Sequence, residues 1–122
     1  MGSGALPYAS FNGCILYQPT RPVRYGNYVY GNGQLDCSGV PTFGQSRLLV
    51  CLYHLTWPFW IRNLPCFDET DDFALKAGEA ANSCTSGTHD WETYSEGEVW
   101  FYPNGYGSGS NLSALPNPQF NC

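Results

Sequence analysis

The clearest hydrophobic pattern in the chain is the run RLLVCLYHL at residues 47–55. Its side chains are apolar on both faces of an extended chain, which is typical of a central strand. The alternation continues beyond this run, but Pro58 cannot donate a ladder hydrogen bond, so we expect a turn or an edge there. Trp60 and Arg62 fall on the same side as His54 and are candidate contact residues. We expect the opposite side to be a core stripe that consists of Leu55, Trp57, Phe59 and Ile61.

A second alternating segment, GTHDWETYSEGEVWFYP, occupies residues 87–103. Side chains two positions apart lie on the same face of a strand, so this segment has two faces of different chemistry. The face that contains Trp91 and Phe101 is mostly small or apolar, and we expect it to contact the core. The other face combines carboxylates with aromatic rings and is a candidate binding face. Its residues are Glu92, Tyr94, Glu96, Glu98, Trp100 and Tyr102.

Two other segments carry local signals for particular structures. Asn32-Gly33 is a strong signal for a hairpin turn between two strands. Residues 69–84, ETDDFALKAGEAANSC, contain the Ala, Leu, Lys and Glu that favour a helix, although Gly78 weakens it. An Ala-rich strand is the competing interpretation of that segment, and the sequence leaves both open.

The composition fits one β-rich domain. Of the 122 residues, 43% are hydrophobic and 16% aromatic, while only 12% are charged, about half the usual share. The 14 Gly and nine Pro indicate many turns. We predict a mainly-β, antiparallel sandwich of about six to eight strands, with at most one short helix. Residues 1–10 are predicted to be a flexible N-terminal arm, and residues 11–122 the single domain.

The chain contains six cysteines, none of them in a CxxC pair. A high and even number of widely spaced cysteines favours three disulfides that form in an oxidising compartment. Six cysteines allow 15 connectivities. Cysteines that are neighbours in the sequence tend to lie on paired strands of a meander, so we predict Cys14–Cys37, Cys51–Cys66 and Cys84–Cys122. The protein is therefore expected to be secreted and extracellular.

The net charge of −5 is unevenly distributed along the chain. Residues 1–63 contain four Arg and one Asp, whereas residues 64–122 contain one Lys and nine acidic residues. This balance argues against nucleic acid or an anionic membrane as the partner. No apolar stretch approaches the roughly 20 residues of a membrane span. The acidic half either packs beside the Arg-bearing half or forms an acidic binding face.

Several short motifs are spread over residues 28–122. They are YGNGQLDC, then LLVCLYH with a Trp soon after it, then SCTSGTHDWET, and finally the terminal Cys122. In these motifs the chain resembles a group of small secreted, disulfide-bonded β-sandwich proteins of actinobacteria. The group includes adaptor-type subunits of secreted antibacterial toxin particles. The resemblance implies an immunoglobulin-like sandwich and a non-enzymatic, interaction role, and it transfers no binding residues to this chain.

Signals for catalysis are sparse. His89 lies beside an aspartate and near Ser86, but no G-x-S-x-G elbow is present. Glu92 and Glu96 share a predicted strand face, as the carboxylates of a glycosidase would, yet acidic residues on an edge strand also prevent aggregation. The acidic segment 67–72 lacks the Gly and the distal Glu of an EF-hand loop. We expect no catalytic residue, no metal and no cofactor.

The sequence therefore favours a non-enzymatic binding or adaptor module that recognises a protein partner. The first alternative is a carbohydrate-binding module that stacks a glycan on surface aromatics such as Trp100. The second alternative is a small hydrolase built on Glu92, Glu96 or His89. A partner module needs an exposed apolar patch or an open strand edge, whereas a sugar platform needs coplanar exposed rings. A hydrolase needs converging carboxylates with a perturbed pKa.

Overall fold

A computed structural model describes residues 7–122, and within that range the chain forms eleven β-strands and no helix. No described segment is therefore a helix that could cross a membrane. The mainly-β prediction is confirmed. The strands are β1 (Tyr8–Phe11), β2 (Cys14–Tyr17), β3 (Val23–Tyr25), β4 (Tyr28–Asp36), β5 (Phe43–Thr56), β6 (Phe59–Arg62), β7 (Phe67–Asp71), β8 (Leu75–Ser83), β9 (Thr88–Phe101), β10 (Gly105–Leu112) and β11 (Gln119–Asn121).

The strands form two curled antiparallel sheets that pack face to face. Sheet I has the order β1-β2-β4-β3, with β8 paired to the other edge of β4. Sheet II has the order β10-β9-β5-β6, with β11 paired to β9 and β7 to β5. β5 is central, as its apolar run predicted, because β9 covers one edge and β6 and β7 cover the other. The strand count exceeds six to eight because long strands such as β5 and β9 each pair with two short ones.

The core lies between the inner faces of the two sheets. Trp91 and Val99 of β9 are fully buried, and Phe101 packs against the same cluster. The face of residues 87–103 that was predicted to contact the core is thus confirmed. The fully buried aliphatic side chains of the core are Leu16, Val29, Leu35, Leu48, Val50 and Leu52.

The predicted hairpin turn at Asn32-Gly33 is wrong, because both residues lie inside β4. The tight turn is formed instead by Asn12-Gly13, which joins β1 to β2 with φ of 50° and 92°. Positive φ at both positions is what a two-residue type I′ turn requires. Gly33 faces the opposite sheet, where an added Cβ would lie 2.6 Å from Val50 Cγ2. Position 33 is therefore occupied by glycine because the two sheets pack closely there.

Most of segment 69–84 lies in two strands, β7 and β8, and the helix interpretation of this segment is wrong. Residues 67–71 pair with β5, and residues 75–83 pair with β4 along their whole length. At Gly78 the ring of Phe67 packs directly against β8, so an added Cβ would clash with that ring. A glycine therefore suits this position of the strand, although it would weaken a helix. The first six residues of the predicted N-terminal arm lie outside the described residues, while Tyr8–Phe11 is already part of sheet I.

Three disulfides join the strands and loops, and all six cysteines take part in them. Cys14–Cys37, Cys51–Cys66 and Cys84–Cys122 are linked, which confirms the sequential connectivity. The second bridge joins central β5 to the segment between β6 and β7. The third ties the last residue of the chain to the end of β8.

The β5–β6 hairpin departs from the predicted core stripe. The chain turns at Trp57-Pro58, as the proline indicated, so that Thr56 pairs with Phe59. The prediction is wrong for Trp57, Phe59 and Ile61, which are all exposed. His54 is the last buried inward side chain of β5, and the hairpin extends past the end of the core.

Candidate functional site

The eight residues that the sequence nominates for binding lie on or beside one surface, the outer face of sheet II. Cross-strand partners point to the same side of a sheet. Tyr53 of β5 pairs with Glu92 on one side and with Arg62 on the other, and Leu55 pairs with Trp60. The tertiary structure thus joins two segments that are 30 residues apart in the sequence. The eight residues are Trp60, Arg62, Glu92, Tyr94, Glu96, Glu98, Trp100 and Tyr102.

Arg47 lies across the middle of this face and binds two carboxylates. Its guanidinium donates to both oxygens of Asp68, at 2.7 and 2.8 Å, and to Glu98 at 2.7 Å. The hydroxyl of Tyr106 donates to the other oxygen of Glu98 at 2.6 Å. The hydrogen bond from Tyr106, followed by that from Arg47, lowers the pKa of Glu98, and the Arg47 hydrogen bond lowers the pKa of Asp68. Both groups are held as ionised acceptors rather than as proton donors.

Tyr94 and Tyr53 form an ordered aromatic pair beside this ion-pair network. Their rings meet edge to face, with centroids 6.0 Å apart and planes at 87°. The Tyr94 hydroxyl donates to Glu96 at 2.8 Å. Burial, with a further contribution from Glu96, raises the pKa of Tyr94 to about 12. Arg62 donates to the Tyr53 hydroxyl at 2.8 Å, and its guanidinium carbon lies 5.3 Å from the centre of that ring.

Glu92 is placed differently from the other residues of this face. Its side chain is fully buried, and the amide nitrogen of Asn117 lies 3.4 Å from its Oε2. Asn117 belongs to the segment between β10 and β11, which also bonds to the β9 backbone through Ser113 and Pro118. Glu92 is therefore enclosed, and it does not form an open carboxylate cleft with Glu96.

One end of the outer face contains a pocket of about 450 Å³. Its aromatic lining consists of Trp100, Phe101, Tyr102 and Tyr106, and Gln45 and Asn104 supply amide groups. The rings of Trp100 and Tyr106 lie 5.6 Å apart, and their planes meet at 53°. They form two walls of a corner and not a flat platform. The sequence analysis missed Tyr106. Tyr106 lies in the pocket because it pairs with Trp100 across the β9–β10 hairpin, and the sequence pattern does not show this pairing.

The two histidines lie together at the base of the β5–β6 hairpin. Their ring centroids are 5.0 Å apart. The ring nitrogens of His89 each lie 2.9 Å from a backbone carbonyl oxygen, that of Leu55 and that of Ser86. His89 therefore faces the backbone of Ser86 and not its hydroxyl. His54 Nδ1 lies 2.6 Å from Oδ1 of Asn63. Within residues 7–122 no group of three His, Cys, Asp or Glu side chains is arranged to hold a metal ion.

The second candidate site is the hairpin tip, which we define as Trp57, Phe59, Ile61 and Leu64. These side chains are 84%, 69%, 42% and 76% exposed. Large apolar side chains are rarely left in solvent together unless they contact a partner. The sequence assigned three of them to the core. It also expected Trp60 and Arg62 on the side of His54, which is wrong: the turn at Trp57-Pro58 shifts the alternation, so that Trp60 pairs with Leu55 and Ile61 pairs with His54. Alternation also does not show whether a second sheet covers a face.

The base of the hairpin is fixed at several points. Asn63 bonds to His54, donates from its side-chain nitrogen to Thr85 at 3.1 Å, and donates from its backbone to Leu52 at 2.8 Å. His89 bonds to Leu55, and the Cys51–Cys66 bridge closes the far side. The tip is therefore an apolar projection on a rigid support.

No family model, no curated protein and no solved structure matches this chain.

Proposed function

We propose that this protein is a non-enzymatic binding module that acts outside the cell and recognises a protein partner through its hairpin tip. The exposed apolar cluster of Trp57, Phe59, Ile61 and Leu64 is the observation that carries this proposal. The three disulfides support an oxidising, extracellular environment, since such bridges are rare in reducing compartments. An adaptor role of this kind also agrees with the resemblance seen in the sequence.

The area of the tip is large enough to anchor an interface. Burying an aromatic side chain removes about 150–250 Å² from water, so the exposed parts of Trp57 and Phe59 together present about 350 Å². At about 25 cal/mol per Å², covering them contributes about 9 kcal/mol before the costs of association are subtracted. Trp is also among the residues most enriched at binding hot spots.

The rigid base of the hairpin strengthens the proposal. A binding loop that is already ordered loses little conformational entropy when its partner arrives. The bonds of Asn63 and His89 fix the strands that present the tip. The open edge of β6, which pairs only with β5 among the described strands, offers backbone groups beside the apolar side chains.

The proposal is tested by affinity capture from the extracellular fraction of the native source. Three immobilised proteins are compared: the wild type, a Trp57→Ala/Phe59→Ala variant and a Tyr102→Ala control. Tyr102 is also a large exposed aromatic residue but lies in the pocket at the end of sheet II. We expect the wild type and the control to retain the same protein and the tip variant to lose it. For the purified partner, each tip substitution is expected to weaken binding by about thirtyfold.

All substituted side chains are exposed, so the three proteins should melt at the same temperature, and circular dichroism checks this. Equal retention of the partner by the tip variant would contradict the proposal. If only the Tyr102 control lost the partner, the interface would be the aromatic pocket and not the hairpin tip. If the wild type retained polysaccharides and no protein, the partner would be a glycan and the proposal of a protein partner would be wrong.

A further inference from the structure

We propose that the outer face of sheet I carries a second binding site, a groove that holds an uncharged oligosaccharide. The groove lies on the sheet opposite the eight predicted residues. It is formed by Tyr17, Thr20, Tyr25, Tyr30, Asn32, Gln34, Ala77 and Glu79. This inference is independent of the partner proposed for the hairpin tip.

The groove consists of two adjoining depressions of about 540 and 310 Å³. Thr20, Asn32 and Glu79 line both of them, so the two are continuous. The register explains the shape, because Gln34 pairs with Ala77 and Asn32 pairs with Glu79 on the outward side of β4 and β8. The small side chain of Ala77 leaves space beside the longer ones. From Tyr28 to Gln34 the strand extends about 20 Å, enough for several sugar rings in a row.

Aromatic rings stand at both ends of the groove. Tyr17 lines the larger depression, and Tyr25 and Tyr30 line the smaller one. Tyr25 is 70% exposed and meets Tyr30 edge to face, with centroids 6.0 Å apart. These two rings are not coplanar, so they form walls of the groove and not a flat sugar platform. Each ring still offers an apolar face to the C–H side of one sugar and a hydroxyl for hydrogen bonding.

The floor of the groove offers polar groups that are not already used. The side chains of Asn32, Gln34 and Glu79 make no hydrogen bond or ion pair with any other residue in the 7–122 range. Side-chain amides both donate and accept, and a carboxylate accepts two hydrogen bonds, which suits pairs of neighbouring hydroxyls. These three groups lie on neighbouring outward positions of two paired strands and line the same depression, so one ligand can contact all of them.

The charge of the groove selects for an uncharged ligand. No Lys or Arg is part of its described lining. The nearest arginines in the sequence are engaged elsewhere, since Arg21 donates to Ala114 and Leu115 and Arg24 donates to Gly26 and Asn121. Sulfated or phosphorylated glycans would meet the carboxylate of Glu79 without a compensating cation. The groove contains one carboxylate and lacks the pair that glycoside hydrolysis needs, so the site is suited to binding and not to cleavage.

The test is affinity electrophoresis of the whole protein in gels that contain hydroxyethylcellulose, arabinoxylan, glucomannan or laminarin, with heparin as the charged probe. We expect retardation by at least one uncharged polysaccharide and none by heparin. Tyr25→Ala and Asn32→Ala are each expected to weaken that binding at least tenfold. Trp100→Ala, in the pocket of the other sheet, serves as the matched control and should leave it unchanged.

Absence of retardation by all four uncharged polysaccharides would overturn the proposal. Binding that Trp100→Ala abolishes and the groove variants preserve would overturn it as well, because the ligand would then occupy the pocket of sheet II. The Trp57→Ala/Phe59→Ala variant separates the two proposals, since we expect it to lose the protein partner and keep the polysaccharide. The groove variants should show the reverse.

Discussion

The contact between Gly33 and Val50 gives a quantitative test of how the two sheets pack. In a Gly33→Ala variant the new Cβ would lie 2.6 Å from Val50 Cγ2 and 3.5 Å from the Cβ of Ser95. Val50 is fully buried, so its methyl group cannot move into solvent. Overpacking of this kind costs about 1–3 kcal/mol. A chain of this length unfolds with an entropy near 0.25 kcal/mol/K, so we expect the melting temperature to fall by about 4–12 °C.

A double-mutant cycle shows whether the clash with Val50 is the cause. Val50→Ala alone should cost about 2–3 kcal/mol, because it removes two buried methyl groups and leaves a cavity. In the double variant the Cβ atoms of residues 33 and 50 would lie 3.7 Å apart, an ordinary contact. We therefore expect the double variant to be no less stable than Val50→Ala. The coupling should be at least about 1 kcal/mol, well beyond the scatter of additive pairs.

The assay is urea unfolding monitored by fluorescence, with the melting temperature as a second measurement. Gly31→Ala is the matched control, since the atoms nearest to its added Cβ belong to Thr93 and Leu52 and not to Val50. Val50→Ala should not rescue it. The reasoning is refuted if Gly33→Ala unfolds at the same urea concentration as the wild type, or if the costs of the two substitutions simply add.

Three further predictions concern stability and electrostatics. Replacing both Cys51 and Cys66 by Ala opens a bridge with a sequence separation of 15, and we expect urea unfolding to show a loss of about 3 kcal/mol; an unchanged midpoint would contradict this. Arg47→Met removes the cation that lowers the pKa of two carboxyls. The stability that the ionised Asp68 and Glu98 gain from Arg47 is present above the ordinary pKa values of these carboxyls and is lost as the pH falls. Between about pH 5 and pH 2 the melting temperature of the variant should therefore decrease less than that of the wild type. Tyr94 should ionise near pH 12, and Glu96→Gln should lower that pKa without restoring its ordinary value, because burial remains; ultraviolet titration against Tyr94→Phe measures it.

The strand content, the central strand and the disulfides could be predicted from the sequence. The apolar run at residues 47–55 and the alternation at residues 87–103 reflect local geometry, because side chains on a strand alternate whatever the rest of the chain does. The carboxylate and aromatic face of β9 was found in the same way. The sequential pairing of the cysteines is confirmed, but the expected reason holds for only part of it. Cys14–Cys37 joins β2 to the residue after β4, its paired strand, whereas Cys84–Cys122 joins the end of β8 in sheet I to the residue after β11 in sheet II.

Which faces are covered could not be predicted. Trp57, Phe59 and Ile61 have the alternation of a core stripe, yet they are exposed because sheet I does not extend over the end of the hairpin. Glu92 has the pattern of a surface residue, yet the segment that contains Asn117 encloses it. Periodicity gives the side of a strand, whereas burial depends on what a distant part of the chain places against that side.

Two of the three Asn-Gly dipeptides in the chain show the same division. Asn12-Gly13 turns the chain, whereas Asn32-Gly33 continues a strand, although the local signal is identical. Glycine permits positive φ and also permits close approach of another strand, and the sequence alone does not state which of these properties is used. The sequence by itself determined the central strand at residues 47–55 and the alternating faces of residues 87–103, and it indicated three disulfides without fixing their pairing. Only the tertiary structure decided which glycine turns, which faces are covered and which side chains are left for a partner, because those outcomes depend on contacts between residues far apart in the chain.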